Sequence, residues 1–230
     1  MLTETAFQND SCRRLFDGGG ARENSAGAHA FSGAIQLMGA SLSFKRNAEI
    51  YGEQEPADYF YKVVRGAVRT YKVLMDGRRQ IGAFYLPGET FGLETGDEHV
   101  FSAEAIVDTK ILIVKRSVAI SLATRDSTIV QQLWTLTGCE LQRTQNHLLL
   151  LGKTAAARVA SFLLEMAERS RSGDEIQLPM SRQDIADYLG LTIETVSRML
   201  TRFEKDAAID LPTCKRVVLR DRAVLERMLA

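Results

Sequence analysis

The stretch from Ser181 to Asp206 constrains this chain more than any other. It reads Ser-Arg-Gln-Asp-Ile-Ala-Asp-Tyr-Leu-Gly-Leu-Thr-Ile-Glu-Thr-Val-Ser-Arg-Met-Leu-Thr-Arg-Phe-Glu-Lys-Asp, a short helix, a tight turn and a longer helix. Ser181 is placed to cap the first helix, and Asp184 supplies an acid in its first turn. Gly190 ends that helix where the chain must turn sharply. Thr192 caps the second helix. Ile185, Leu189, Leu191, Val196 and Met199 form an apolar seam between the two, and Ala186 is small where the helix axes must approach. The outer face of the second helix is left with Glu194, Thr195, Ser197, Arg198 and Arg202. Its first two turns thus present a carboxylate, two hydroxyls and a guanidinium. These can pair with cytosine N4, with mixed donors and acceptors, and with guanine O6 and N7 in a major groove.

A plain helical hairpin with a solvated charged face has the same spacing, so the residues that follow matter. Ala208–Leu211 and Arg216–Leu219 read as two strands joined at Pro212-Thr-Cys-Lys, without the glycine usual in a two-residue hairpin turn. A helix-turn-helix followed by a hairpin is a winged helix, with Lys215 and Arg216 of the wing placed to reach phosphate. Cys214 lies beside these two cations, which favour the reactive thiolate. It is a candidate redox-responsive residue, and the plainer alternative is an ordinary surface cysteine.

At 230 residues the chain has room for two domains of ordinary size. Its 45% hydrophobic and 25% charged content describe a soluble globular protein. No apolar run of about 18 residues is present, and the N-terminus lacks the basic-then-apolar pattern of a secretory signal, so no membrane association and a cytoplasmic setting are expected. Net charge is zero, and from Gly152 onward 13 Lys and Arg face 12 Asp and Glu. Any DNA contact must therefore come from a local patch. Cys12, Cys139 and Cys214 are isolated, too few for the four thiolates of an ordinary iron–sulfur cluster within one subunit. His29, His99 and His147 are scattered and read as structural. No Ser-His-Asp or Cys-His spacing appears, and Gly18-Gly19-Gly20 lacks the Lys-Ser/Thr of a phosphate loop. The expectation is a protein that is not an enzyme, with no catalytic residues, metal or cofactor.

Taken in order, residues 1–30 read as a flexible arm, in which Cys12-Arg13-Arg14-Leu15-Phe16 is either a docking segment or solvated tail. Residues 31–125 read as a β-barrel or jelly roll. Its strand candidates are Ala40–Phe44, Glu49–Tyr51, Tyr59–Val64, Ala67–Leu74, Gln80–Tyr85, Ala103–Val107 and Ile111–Val114. Asp76-Gly77 and Pro87-Gly88 supply turns. After a short helix at Arg116–Ala123, residues 126–152 form a long helix. Val130, Trp134, Thr137, Leu141, Thr144, Leu148 and Leu151 fall on it at alternating spacings of four and three. That seam suits a two-helix coiled coil and a homodimer, weakened by the two threonines. The same stripe can instead pack on its own barrel, and Ile129, Leu133, Leu136 and Leu150 offer a second apolar face. Residues 153–230 make the winged helix, with a helix from Thr154 to Arg169 ahead of it and another at Ala223–Leu229. The fold class is α+β.

Barrel, long helix and winged helix in this order resemble the CRP/FNR superfamily of bacterial transcription regulators, over about residues 32–230. The most specific part is Gly190-Leu-Thr-Ile-Glu-Thr-Val-Ser-Arg, where Glu194-x-x-Ser197-Arg198 matches the recognition signature of the FNR side. The resemblance implies an N-terminal domain of the cyclic-nucleotide-binding type, a dimer on double-stranded DNA, contact with RNA polymerase, and palindromes of the type TTGAT–N4–ATCAA. It assigns Arg198 to the guanine, Glu194 to its paired cytosine and Ser197 to an outer thymine. FNR-type sensors hold a [4Fe–4S] cluster with an N-terminal cysteine cluster, whereas this arm has Cys12 alone. CRP-type members hold cyclic AMP with a Gly-Glu-Leu turn and a later Arg-Ser. Here the stretches are Phe91-Gly92-Leu93-Glu94 and Val100-Phe101-Ser102-Ala103, so the ribose carboxylate has become Leu93, unless Glu94 replaces it, and the phosphate arginine has become Phe101. A buried phosphate without its cation is poorly compensated. What remains resembles the FixK group, cluster-free activators of low-oxygen respiration and nitrogen-fixation genes. The alternative is a CRP-like regulator whose barrel senses another ligand, a nucleotide, an organic acid or haem, the last through Met38, Met75 or His99.

Overall fold

The computed structural model describes residues 39–170 and 173–229. The arm over residues 1–30, with Cys12 and its neighbours, and Met38 lie outside the described residues. Eight strands come first: β1 (Ala40–Phe44), β2 (Glu49–Tyr51), β3 (Tyr59–Arg65), β4 (Val68–Val73), β5 (Arg79–Tyr85), β6 (Thr90–Phe91), β7 (Ser102–Ala105) and β8 (Thr109–Lys115). All seven strand candidates form, within a residue or two of their expected ends. The two-residue β6 was not anticipated, because so short a run carries no alternation to detect. The strands form two antiparallel four-stranded sheets, ordered β1-β8-β3-β6 and β2-β7-β4-β5. Among the described residues no ladder joins the sheets edge to edge, so the closed-barrel alternative is corrected to an open jelly-roll sandwich. The sheets share one core, with Tyr51, Tyr61, Val63, Val68, Ala83, Tyr85, Phe91, Ala103 and Ile111 buried between them. Buried residues alternate with more exposed ones along β3 and β7, as a pleated sheet with one buried face requires, whereas the start of β4 and the end of β5 are buried on both faces.

Helix α1 (Arg116–Ala123) leads into the long α2 (Ser127–Leu151), and α3 (Ala155–Ser170) follows. Asp126 caps α2 by accepting from the Thr128 N–H at 2.9 Å. The C-terminal unit continues with β9 (Glu175–Gln177), α4 (Arg182–Leu189), α5 (Ile193–Lys205), β10 (Ile209–Thr213), β11 (Arg216–Leu219) and α6 (Arg222–Arg227). Strand β9, with a single apolar residue, was not foreseen. It pairs with β11 and makes the wing a three-stranded sheet ordered β10-β11-β9. The hairpin exists, but Pro212 is not in its turn. Strand β10 runs through Pro212 at a register shift between Asp210 and Thr213, which an edge strand tolerates because no ladder N–H is needed there.

One core spans both units. Phe84 and Ile81 of β5 are buried in the same cluster as Phe162, Leu163 and Met166 of α3 and Tyr188 of α4. Polar contacts reinforce the junction. Arg69 donates to Asp184 and Glu104, each at 2.9 Å, and Arg79 donates to Asp184 at 2.6 Å and Asp187 at 2.8 Å. Behind them Arg169 of α3 donates to both oxygens of Glu89, at 3.0 and 2.7 Å. Burial alone would push the Glu89 carboxyl up, but Arg169 and Arg143 pull it below its usual value. The helix-turn-helix is thus seated on the β4–β5 side of the sandwich.

Candidate nucleic-acid interface

Helices α4 and α5 form as their sequence dictates. The Ser181 side chain accepts from the Asp184 N–H at 3.1 Å while the Asp184 carboxylate takes the Ser181 N–H at 2.9 Å, a complete capping box. Gly190 sits at φ +62° and ψ +41°, the left-handed conformation that ends a helix and that a side chain would strain. Thr192 caps α5 by accepting from the Thr195 N–H at 3.2 Å. The seam is tight: Ile185, Ala186, Leu189 and Val196 are buried, and Leu200 and Phe203 extend it along α5. At roughly 1.5–3 kcal/mol for each large apolar side chain, these fix which face of α5 turns outward.

That face carries the expected residues. Glu194, Ser197, Arg198 and Arg202 are exposed, and Thr195 is half-buried with its hydroxyl 3.0 Å from that of Thr192. Ser197, Arg198 and Arg202 line a shallow concavity with Thr201, Lys205 and Asp206; the last three were not singled out from sequence. The Glu194 carboxyl is held below its usual value by its own backbone N–H, the Thr192 hydroxyl and the Arg198 charge. It is therefore an ionised acceptor at neutral pH, the form able to receive a cytosine amino group. Arg198 makes no close ion pair or side-chain hydrogen bond among the described residues, although its charge is felt by Glu194, and it can donate from two nitrogens. Arg202 lies 3.6 Å from Asp206, a loose exposed pair.

The wing is less uniform. Lys215 is half-buried at the hairpin tip and its ammonium has no partner among the described residues, whereas Arg216 makes a two-point pair with Glu175 of β9 at 2.7 and 2.8 Å. Cys214 is exposed and free. On α2, Val130, Trp134, Leu141 and Leu148 are 49%, 81%, 59% and 70% exposed, so the stripe is not consumed by the chain's own sandwich. Ile129 and Leu150 of the second face are buried instead. Leu151 departs from the stripe: it is half-buried and lies close to Gly190.

Arg158 is among the residues that sequence reasoning missed. It donates to the carbonyls of Leu151 at the end of α2, Lys153 beyond it and Leu189 at the end of α4. One side chain thus satisfies the open ends of two helices and ties the long helix to the helix-turn-helix. Nothing in its local sequence signals this, since both ends are assembled only by the tertiary fold.

The stretches that the resemblance sets against a cyclic-nucleotide pocket, Phe91–Glu94 and Val100–Ala103, pack among aromatic side chains. Phe101 lies against Gly82, where a Cβ would meet its ring at 3.1 Å. Gly92, at φ +74°, lets the chain pass over Tyr61, whose ring a Cβ there would strike at 2.6 Å. Tyr51 stacks on His99 at 3.6 Å, and Tyr61 and Phe91 stack at 5.1 Å. Glu94 sits 3.4 Å from His99 rather than facing open space. The interior is occupied by aromatic rings, and Phe101 supplies no charge for a phosphate.

A jelly-roll domain joined by a long helix to a winged helix, with hydrogen-bonding side chains on the outer face of its second helix, defines a DNA-binding regulator. Comparisons agree in detail. Residues 157–228 match the Crp-like helix-turn-helix domain and residues 41–126 the cyclic nucleotide-binding domain. The nitrogen fixation regulation protein FixK of Azorhizobium caulinodans is 52% identical over 200 residues, covering 84% of this chain and 81% of that protein. FixK of Rhizobium meliloti is 44% identical, covering 78% and 83%. The structure of FixK2 from Bradyrhizobium japonicum superposes with a TM-score of 0.82 at 50% identity, covering 84% of this chain and 98% of the other. The chain belongs to the CRP/FNR family of transcription regulators and, within it, is similar to the FixK proteins. Its relatives are regulators rather than enzymes, and no described helix is long and apolar enough to cross a membrane.

Proposed function

We propose that the protein is a homodimeric, sequence-specific transcription activator that binds TTGAT–N4–ATCAA-like palindromes, regulates genes for low-oxygen respiration or nitrogen fixation through RNA polymerase, and needs no small-molecule effector. The observation that carries the reading is the outer face of α5, where an ionised Glu194, an exposed Ser197 and an unpaired Arg198 stand together on a helix anchored by its buried side. The exposed α2 stripe supports dimerisation, with Leu151 contributing less than Val130, Trp134, Leu141 and Leu148. The aromatic interior around Phe101 and His99 supports independence from cyclic AMP. Lys215 supplies a phosphate contact, and Arg216 must give up Glu175 before it can supply another. The test is a gel-shift titration of purified protein on the palindrome. Binding without additive is expected, and binding that appears only with cyclic AMP would overturn the effector-free mode.

A further inference from the structure

Helix α4 is pinned at both ends, by different parts of the chain. At its start Asp184 and Asp187 receive Arg69 and Arg79 of the sandwich. At its far end the holder is Arg158, from the first turn of α3. Its Nη1 donates to the Leu189 carbonyl at 2.9 Å and to the Gly190 carbonyl at 3.4 Å. Its Nε donates to the Lys153 carbonyl at 2.9 Å, and its Nη2 to the Leu151 carbonyl. Arg158 makes no ion pair among the described residues. Its charge is met instead by the negative ends of α2 and α4, and its planar fork reaches both at once.

What Arg158 joins matters for α5. Leu189 and Gly190 lead into Thr192, the cap of α5, and Leu151 is the last residue of α2. The chain itself joins α2 to α3 through Gly152, Lys153 and Thr154 alone, each with two soft backbone dihedrals. Two apolar contacts lie along the same seam. His147 of α2 stacks on Tyr188 of α4 at 4.2 Å, and a Cβ at Gly190 would lie 3.6 Å from Leu151 and 3.5 Å from the Arg158 guanidinium. A stack and an apolar contact tolerate sliding. Hydrogen bonds from one rigid planar group to carbonyls of two helix ends do not, because they weaken steeply with angle.

We infer that Arg158 is a positioning residue that fixes which half-site spacing the dimer accepts. This rests on the reading of α2 as the dimer helix and α5 as the base-contacting helix. In a two-fold dimer each α5 is placed relative to the axis through the end of its own α2. A palindrome needs two such helices about one turn of DNA apart, roughly 34–36 Å, at one mutual angle. One base pair added to the spacer moves a half-site by about 3.4 Å and turns it by about 35°. A turn clamped to α2 holds one value of that distance and angle. Without the clamp, the joint at Gly152–Thr154 would sample several. Arg158 itself reads no base and acts through the end of α4.

The experiment measures binding of the full-length protein, as parent, Arg158→Met and Arg158→Lys, to TTGAT–N4–ATCAA and to the same half-sites with N3 and N5 spacers. Methionine keeps an unbranched apolar stem and removes every donor, whereas lysine keeps the charge without the fork. The parent should favour the N4 spacer by about 100-fold or more, because a half-site out of register forfeits the linked contact. In Arg158→Met that ratio should shrink about tenfold, and Arg158→Lys should fall between. Discrimination at the guanine within a half-site should be the same in all three. A merely structural loss would lower affinity for every spacer alike, so an unchanged ratio would overturn the inference. So would a parent that accepts the three spacers equally. If Arg158→Met does not fold, the ratio for Arg158→Lys decides. Failure of the underlying reading looks different: the parent would sediment as a monomer, or would not distinguish the palindrome from a scrambled duplex.

Discussion

Arg69 and Asp184 are 115 residues apart in the chain, and the guanidinium of the first donates to the carboxylate of the second at 2.9 Å. Their side chains are 9% and 4% exposed. The same carboxylate closes the capping box of α4, so one acid both starts the helix-turn-helix and fastens it to the sandwich.

Removing Asp184 should therefore cost far more than removing a cap. Ser181→Ala, which deletes the capping hydroxyl alone, should destabilise by about 1 kcal/mol. Asp184→Ala should destabilise by roughly 3–5 kcal/mol, because it strands buried guanidinium charge. Urea denaturation of both variants checks this. Equal losses would mean that the ion network contributes nothing beyond the cap.

Dimerisation should fail when the α2 stripe is charged. Leu141→Glu and Leu148→Glu alter residues exposed in the single chain, so each protomer should stay folded. Sedimentation should report monomers, and DNA affinity should fall about 100-fold or more as the linked second half-site is lost. A stable dimer in both variants would place the interface elsewhere.

Arg198→Ala should cost roughly 1–3 kcal/mol per half-site, and about twice that for the palindrome if the half-sites act independently. The loss should be confined to one base pair: once the arginine is gone, replacing the guanine should matter little. A variant that still discriminates fully at the guanine would remove α5 from its role as reader.

Acid should weaken the junction through Glu89. Its folded-state pKa is depressed, so the stability it contributes is complete above the ordinary carboxyl value near 4.5 and is lost as pH falls through the lower folded value. Glu89→Gln should be less stable than the parent at neutral pH. The gap should narrow as pH falls below the ordinary carboxyl value near 4.5 and toward the lower folded value. Parallel denaturation curves at each pH measure the gap, and a gap independent of pH would assign the loss to packing alone.

Cys214 is exposed beside Lys215, and Arg182 of α4 lies close enough for its charge to feel the sulfur. Oxidation by peroxide to a sulfinate or sulfonate would place negative charge on the wing surface proposed to meet phosphate. DNA binding by the parent should fall after peroxide treatment, and Cys214→Ser should resist it. Equal sensitivity of the two proteins would clear this cysteine.

Local sequence was enough to determine α5 and its outward face. Caps, the left-handed glycine and the apolar seam are set by residues within a few positions of one another, and Glu194, Ser197 and Arg198 follow as the face left over. The sandwich strands were legible for the same reason, since alternation is a local signal. Strands β6 and β9 were not, being too short to alternate. The orientation of the α2 stripe was left open by sequence, because Ile129 and Leu150 are as apolar as Leu141 and Leu148. Only packing decided which face the sandwich takes. The junction lay wholly beyond sequence: Arg69, Arg79, Arg158 and Arg169 look like ordinary surface cations until the fold brings carboxylates and helix-end carbonyls from distant segments to meet them. Lys215 and Arg216 were equivalent neighbours in sequence, and tertiary structure separated them, giving Glu175 to one and no partner among the described residues to the other.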